Sequence, residues 1–272
     1  MNLDPLPISA LQEPHFEQLY PFDAFNPIQT QLFHVLYHTD TPVILGAPTG
    51  SGKTIVAEIT LLRMKYLHPK GKCVYIAPLK SLARERLKEW IKKLGTPPLK
   101  WNVLELSGDT HHNNATLRKA DVLVYTPEKW DLISRGWRGS QGFADSNAKN
   151  GRDFVKQEKL LIIDEIHLLG EDCGAVLEAI VSRTRFISQH IRQMEKDNAP
   201  STTTESTSSP HDATRIVGLS TALSNPEDLA DWIGIDIKSY GPLAKRGLYN
   251  FRPSLRPVAT TIHVQEYSGC HY

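Results

Sequence analysis

The sequence has 272 residues, 40% of them hydrophobic and 22% charged, a balance that can bury a full core and excludes disorder throughout. Thirty-one Lys and Arg against thirty Asp and Glu leave a formal charge of +1, so bulk electrostatics neither drive the chain to nucleic acid nor bar it, and any polyanion site has to be local. Cys73, Cys173 and Cys270 are far apart and lack metal-ligand spacing, which fits packing thiols in a reducing compartment. Met1 to Ala10 has no apolar signal-like core and no stretch approaches the ~18 apolar residues of a membrane span, so an intracellular protein without a membrane partner is expected.

Residues 1–24 read as a lead-in. Beyond them, short β-branched apolar runs alternate with helical patterns. The runs are Val43 to Leu45, Cys73 to Ala77, Val103 to Leu106, Val122 to Tyr125, Leu160 to Ile163 and Ile216 to Leu219. The helical patterns are Thr54 to Tyr66, Ser81 to Lys93, Ala175 to His190 and Pro226 to Ile233. This alternation predicts an α/β fold, a mostly parallel doubly wound sheet with helices on both faces. Arg138 to Asp153, rich in Gly, Ser, Asn and Asp, and Lys196 to Asp212, with its Ser/Thr run, read as surface insertions at about 138–153 and 196–212. A single domain over 25–240 is expected, followed by an extended segment at 241–272.

The strongest local signal is Gly46-Ala47-Pro48-Thr49-Gly50-Ser51-Gly52-Lys53-Thr54, placed directly after an apolar strand and directly before a helix. That context is what a phosphate-binding loop requires. Glycines let successive N–H groups curl toward phosphate oxygens, and the positive end of the helix adds a favourable field. Lys53 would then bridge the β- and γ-phosphates of ATP, and the Thr54 hydroxyl would reach Mg²⁺. The usual pattern has Gly where Ala47 stands, a small departure because Gly50, Gly52, Lys53 and Thr54 are kept.

Leu160 to Ile163 ends in Asp164-Glu165-Ile166-His167. Beside a phosphate loop, Asp164 at a strand tip can hold Mg²⁺ through its waters, and Glu165 can orient or deprotonate an attacking water. Capping of the next helix by the two carboxylates is the alternative. His167 by itself reads equally as a turn residue.

These motifs together resemble a superfamily 2 helicase of the DExH class, in the Ski-two-like group. Within that group the similarity is to the second cassette of the double-cassette helicases, over its first RecA-like domain. Phe25-Asn26-Pro27-Ile28-Gln29 resembles the adenine-reading segment, with Gln29 on the base. Ala77 to Ala83, Ser107-Gly108-Asp109 and Thr126 to Asp131 resemble segments that grip a nucleic-acid backbone. The resemblance implies contacts from Pro78, Lys80, Arg84, Gly108, Asp109, Thr126, Pro127 and Lys129. Ser220-Thr221-Ala222, with His167, resembles the part that couples nucleotide state to strand grip.

The same resemblance implies ATP-dependent helicase activity with ATP and Mg²⁺ as cofactors. It implies single-stranded or partly duplex nucleic acid as partner, RNA favoured. It further implies ribosomes and activating signal cointegrator complex subunits as partners, ribosome quality control as the process, and a cytoplasmic and nuclear location. The family closes ATP between two RecA-like domains, the second supplying arginines, so this chain alone is expected to bind ATP and turn it over slowly. A non-catalytic nucleic-acid or partner-binding module is the rival reading. Lys80, Arg84 and Arg86 on a charged helix start can equally be a solvated face, and Trp130 reads as core more than as a base platform.

Overall fold

The computed structural model describes residues 4–105, 114–138, 153–170, 174–197, 213–221, 223–237, 246–256, 258 and 263–264. Residues 139–152 and 198–212, most of the two expected insertions, lie outside the described residues, as do Cys173 and Cys270.

Seven strands form one sheet in the order β3-β4-β2-β5-β6-β1-β7. In chain order they are β1 (Val43–Gly46), β2 (Lys72–Ile76), β3 (Val103–Glu105), β4 (Val122–Tyr125), β5 (Glu158–Ile163), β6 (Arg215–Ser220) and β7 (Leu248–Asn250). Every pairing is parallel. The chain leaves β1, crosses to β2, and later returns through β5 and β6 to fill the gap. Crossovers that diverge in this way leave a crevice beyond the carboxyl ends of the central strands.

The strands are buried on both faces, so they read as continuous apolar runs and not as alternating ones. Val43 and Leu45 point into one core with Cys73, Tyr75, Leu160, Ile162, Val217 and Leu219. Ile44, Val74, Ile76, Leu161, Ile163 and Ile216 point into the other. Each such side chain, fully removed from water, contributes about 1.5–3 kcal/mol.

The helices are α1 (Pro14–Glu17), α2 (Pro27–His38), α3 (Lys53–Leu67), α4 (Lys80–Leu94), α5 (Asn114–Lys119), α6 (Pro127–Ser134), α7 (Gly174–Asp197) and α8 (Pro226–Ile233). The expected helix at 175–190 runs on to Asp197, because its polar last turns carry little apolar signal. The lead-in expected at 1–24 belongs to the core over its described part: Ile8, Leu11, Phe16 and Tyr20 are buried there. Helical turns of four residues are too short to give these side chains a period that would reveal them. The extended segment expected at 241–272 contains β7, which pairs with β1 at the sheet edge; Leu248-Tyr249-Asn250 has no β-branched apolar run to read as a strand. Trp130 is buried, as is the Cys73 thiol. Among the described residues no helix is long and apolar enough to cross a membrane.

Two charged residues are buried where β5 and β6 begin. Arg215 donates to the carbonyls of Val35 (2.8 Å), Leu36 (2.9 Å) and Thr41 (2.9 Å), satisfying the carbonyls that α2 leaves open at its end. Among the described residues Glu158 meets Thr184 Oγ1, at 3.5 Å from Oε2, and its Oε1 has no hydrogen-bond partner. Burial pushes its carboxyl up to about 8. A folded-state value above the unfolded one means that stability is greatest below the unfolded pKa of about 4.3 and is lost as pH climbs through the folded value. Thermal melts at pH 5 and pH 9 should therefore show Glu158→Gln flattening the alkaline loss, with a gain of roughly 5 °C over wild type at pH 9 and little at pH 5. Parallel pH profiles of the two proteins would refute this account of Glu158.

Candidate functional site

β1 ends at Gly46 and α3 begins at Lys53, so the loop between them emerges at the carboxyl edge of the sheet. Gly52 is the residue before the helix and takes φ 83°, a left-handed conformation that glycine adopts without cost. A Cβ there would also lie 2.3 Å from Gln29 Nε2, so a side chain would have to displace the Gln29 amide as well as adopt the strained φ. Lys53 donates from Nζ to the carbonyl of Ala47 at 3.1 Å, which folds its ammonium back over the loop. Thr54 follows it, half-buried in the first turn of α3, while Pro48, Thr49 and Gly50 form the accessible rim and Ser51 is buried.

The loop is braced from outside. Asn26 and Gln29 form a reciprocal capping box at the start of α2. Asn26 Nδ2 donates to the Ser51 carbonyl at 2.9 Å, and Gln29 Nε2 approaches the Gly52 carbonyl at 3.4 Å. The sequence reading put Gln29 on the adenine; in the structure its amide spans the box and the loop, and the residue is 4% exposed. Phe25, expected beside the base, is buried among Tyr20, Phe22 and Phe33 with ring centroids at 6.2, 6.2 and 5.3 Å. The aromatic ring therefore anchors the segment and does not face the site.

Asp164 and Glu165 stand at the tip of β5, with β6 between them and β1. The Asp164 amide bonds to the Ile76 carbonyl at 2.9 Å, and its Oδ1 accepts from the Glu165 amide at 3.1 Å. Its Oδ2 accepts from the Tyr75 hydroxyl. Glu165 has φ 49°, a left-handed conformation that costs a residue with a Cβ of order 1–3 kcal/mol and marks functional sites. Its Oε2 is buried without a hydrogen bond, 3.4 Å from His167 Nδ1. That nitrogen also lies 3.1 Å from Ser220 Oγ, so the tip of β5 and the end of β6 meet through His167. Thr221 follows Ser220, and Ala222 lies outside the described residues.

The donors are hard oxygens. Asp164 offers a strand-tip carboxylate with lone pairs still open after two hydrogen bonds, and Thr54 offers a hydroxyl. Among the described residues no group of three or more His, Cys, Asp or Glu is placed to hold a metal. Few protein ligands and oxygen donors suit Mg²⁺, which keeps its waters and takes phosphate oxygens, and do not suit an all-protein metal cage.

The expected strand-gripping residues follow the neighbouring strands of the same edge. Pro78 is half-buried, and Lys80 and Arg84 are exposed at the start of α4, after β2. Thr126 and Lys129 are half-buried and Pro127 is buried, at the start of α6 after β4. Gly108 and Asp109 lie outside the described residues.

Three features escaped the sequence reading. Asn250 clamps both the amide and the carbonyl of Leu223 at 3.1 and 2.8 Å. It also sits where a Cβ on Gly46 would be, 2.3 Å from Oδ1. Arg256 lies over the loop, its Nη2 3.4 Å from where a Cβ on Gly50 would stand. Tyr75 read only as one apolar residue of a strand. No local pattern signals any of these, because each partner lies far away in sequence.

A sequence profile of the DEAD/DEAH box helicases matches residues 26–229. The chain belongs to this family. It is 48% identical over 276 residues to activating signal cointegrator 1 complex subunit 3 of Danio rerio, covering 100% of this chain and 15% of that protein. With the Homo sapiens protein of that name it shares 48% over 272 residues, 100% of this chain and 10% of the other. The Arabidopsis thaliana DExH-box ATP-dependent RNA helicase DExH14 is 46% identical over 272 residues, again with all of this chain and 11% of that protein covered. The chain thus spans 10–15% of the length of these relatives. Among solved structures, Mss116p bound to single-stranded RNA and AMP-PNP superposes with a TM-score of 0.61 at 19% identity, over 86% of this chain and 44% of that one. Helicase MrfA bound to DNA gives 0.54 at 16% identity, over 85% and 29%. The helicase domain is RecA-like in fold, as the sequence indicated.

If the brace holds the helicase loop, Gln29→Ala removes a capping bond and the tie to Gly52 together. The expected cost is about 1–2 kcal/mol, seen as a fall of roughly 2–6 °C in melting temperature. An unchanged Tm would show that the brace contributes nothing.

Proposed function

We propose that the chain is the ATP-binding motor domain of a nucleic-acid helicase, using Mg-ATP to drive movement along single-stranded RNA together with a second RecA-like domain. The observation that carries this is the placement of Lys53, Asp164 and Glu165 at one sheet edge, with Lys53 over the loop and Glu165 Oε2 buried without a hydrogen bond beside His167. Loop N–H groups and the amino end of α3 would cradle the phosphates. Lys53 would exchange the Ala47 carbonyl for phosphate oxygens, a charge-assisted bond stronger than the neutral one it replaces. Thr54 and Asp164 would hold Mg²⁺, which neutralises phosphate charge when bound. Glu165 would orient the attacking water and accept its proton.

Pro78, Lys80, Arg84, Gly108, Asp109, Thr126, Pro127 and Lys129 would grip the sugar-phosphate backbone, which positions a strand without reading its bases. RNA is favoured because the Arabidopsis relative is named an RNA helicase. Association with an activating signal cointegrator complex is proposed from the names of the other relatives, and ribosomes are carried as partners from the sequence resemblance alone.

Arginines from a second domain are worth about 10³–10⁵ in rate in related phosphoryl-transfer systems, so these 272 residues assayed by themselves should bind Mg-ATP and hydrolyse it slowly, with or without RNA. A nucleotide titration beside a steady-state ATPase assay tests this. Lys53→Ala should abolish binding, and Glu165→Gln should keep binding while removing the residual turnover. Nucleotide affinity unaffected by Lys53→Ala would sink the proposal.

A further inference from the structure

The Asp164 carboxylate is held by a group that no motif of the phosphate site contains. Tyr75, on β2, is 1% exposed, and its hydroxyl donates to Asp164 Oδ2. The opposite oxygen is taken by the Glu165 amide. The carboxylate is thus pinned from both sides, while each oxygen keeps a lone pair for a cation or for the water of one. Burial, followed by the nearby negative charge of Asp164, raises the phenol well above its ordinary value.

Tyr75 is in turn gripped by α4. Its ring meets Trp90 edge-on at 5.0 Å. The Arg86 guanidinium lies 5.9 Å from the Tyr75 ring and 5.7 Å from the Trp90 ring. Arg86 is mostly buried, with its side chain 17% exposed and ion-paired to Glu89, and its Nε has no hydrogen-bond partner. Burial works against its charge, and the Tyr75 phenol is foremost among the groups that offset this and raise its pKa, ahead of Glu89 and Asp164. The same helix is tied to α3, the helix that begins at Lys53. Trp90 Nε1 donates to Glu58 Oε1 at 3.1 Å and Lys93 Nζ to Oε2 at 2.6 Å.

We propose that Tyr75 and Arg86 are positioning residues that set the Asp164 carboxylate for Mg²⁺, so that the seating of α4 is a condition of metal-dependent nucleotide binding. This rests on the nucleotide-site reading above. It adds that the helix carrying Lys80 and Arg84 at its start reaches the metal ligand through one phenol and one guanidinium. Groups outside the first coordination shell that orient a ligand typically change metal affinity 10–100-fold when mutated; a single hydrogen bond to one carboxylate oxygen should act at or below the low end.

The test measures ATP affinity of the whole chain with saturating Mg²⁺ and with EDTA, and takes the ratio. Tyr75→Phe keeps the ring against Trp90 and loses only the hydroxyl. It should reduce the Mg²⁺-dependent gain about fivefold and leave the metal-free affinity unchanged. Arg86→Gln should shift the ratio in the same direction, and Arg86→Lys should restore part of it. A thermal melt on each variant confirms the fold, and a merely structural loss would lower both affinities alike. Wild-type ratios in both Tyr75→Phe and Arg86→Gln overturn the proposal. Lys53→Ala separates the two layers: if it abolishes binding while the Tyr75→Phe ratio stays wild type, the positioning role alone fails. If Lys53→Ala binds ATP normally, the nucleotide reading fails with it.

Discussion

Parallel pairing of β5, β6 and β1 is the constraint on which the rest of the molecule depends. In a parallel sheet all carboxyl ends fall on one edge, and crossovers must run back over the faces. Here the return of the chain through β5 and β6 places the Lys53 loop, the Asp164-Glu165 tip and Ser220 on consecutive strands. Residues separated by more than a hundred positions meet because each follows directly from a strand that cannot shift. A one-residue slip in any of these registers would exchange the two cores and carry the strand tips out of line.

The edge is divided by chemistry. The β1, β5 and β6 ends carry the phosphate loop, two carboxylates and the His167-Ser220 contact, whereas the β2 and β4 ends carry cations and a hydroxyl. Between the halves stand buried polar groups that apolar packing alone would not require: Tyr75, Arg86, Trp90, Glu58 and Lys93. Burying such groups is costly unless they are paired; Tyr75 bonds to Asp164, and Trp90 and Lys93 to Glu58, across elements, while Arg86 packs on the Tyr75 ring and pairs with Glu89 of its own helix. The effect is to make the relative placement of α3, α4 and β5 specific and not merely compact.

Much of this was legible in the sequence. The strand runs could be read because strands buried on both faces are apolar without interruption, and the loop at 46–54 because its composition, preceding strand and following helix agree. Asp164 and Glu165 were legible because acids at the end of such a run demand an explanation. Gln29 stood out in the sequence but its contacts did not, since a side chain that spans a capping box and a loop leaves the same letters as one that reads a base. Tyr75 and Asn250 were invisible in role, because a phenol inside an apolar strand and an amide after a three-residue edge strand have no local signature. The packing of residues 4–24 was missed for a similar reason: Phe16 sits in a four-residue helix and Tyr20 in irregular backbone, too little regular structure for burial to follow a period.

The edge strand β7 gives the outgoing chain a mechanical connection to the loop. Its residues pair with β1 from Ile44 to Gly46, and the Phe251 amide bonds to the Gly46 carbonyl at 2.7 Å, one residue before the loop begins. A tug on the chain beyond Arg256 would pass into this short row of hydrogen bonds and the Asn250 clamp. The strand that bears the load is the one that turns into the phosphate loop, so tension in the outgoing chain and the shape of the loop share a single stiff element.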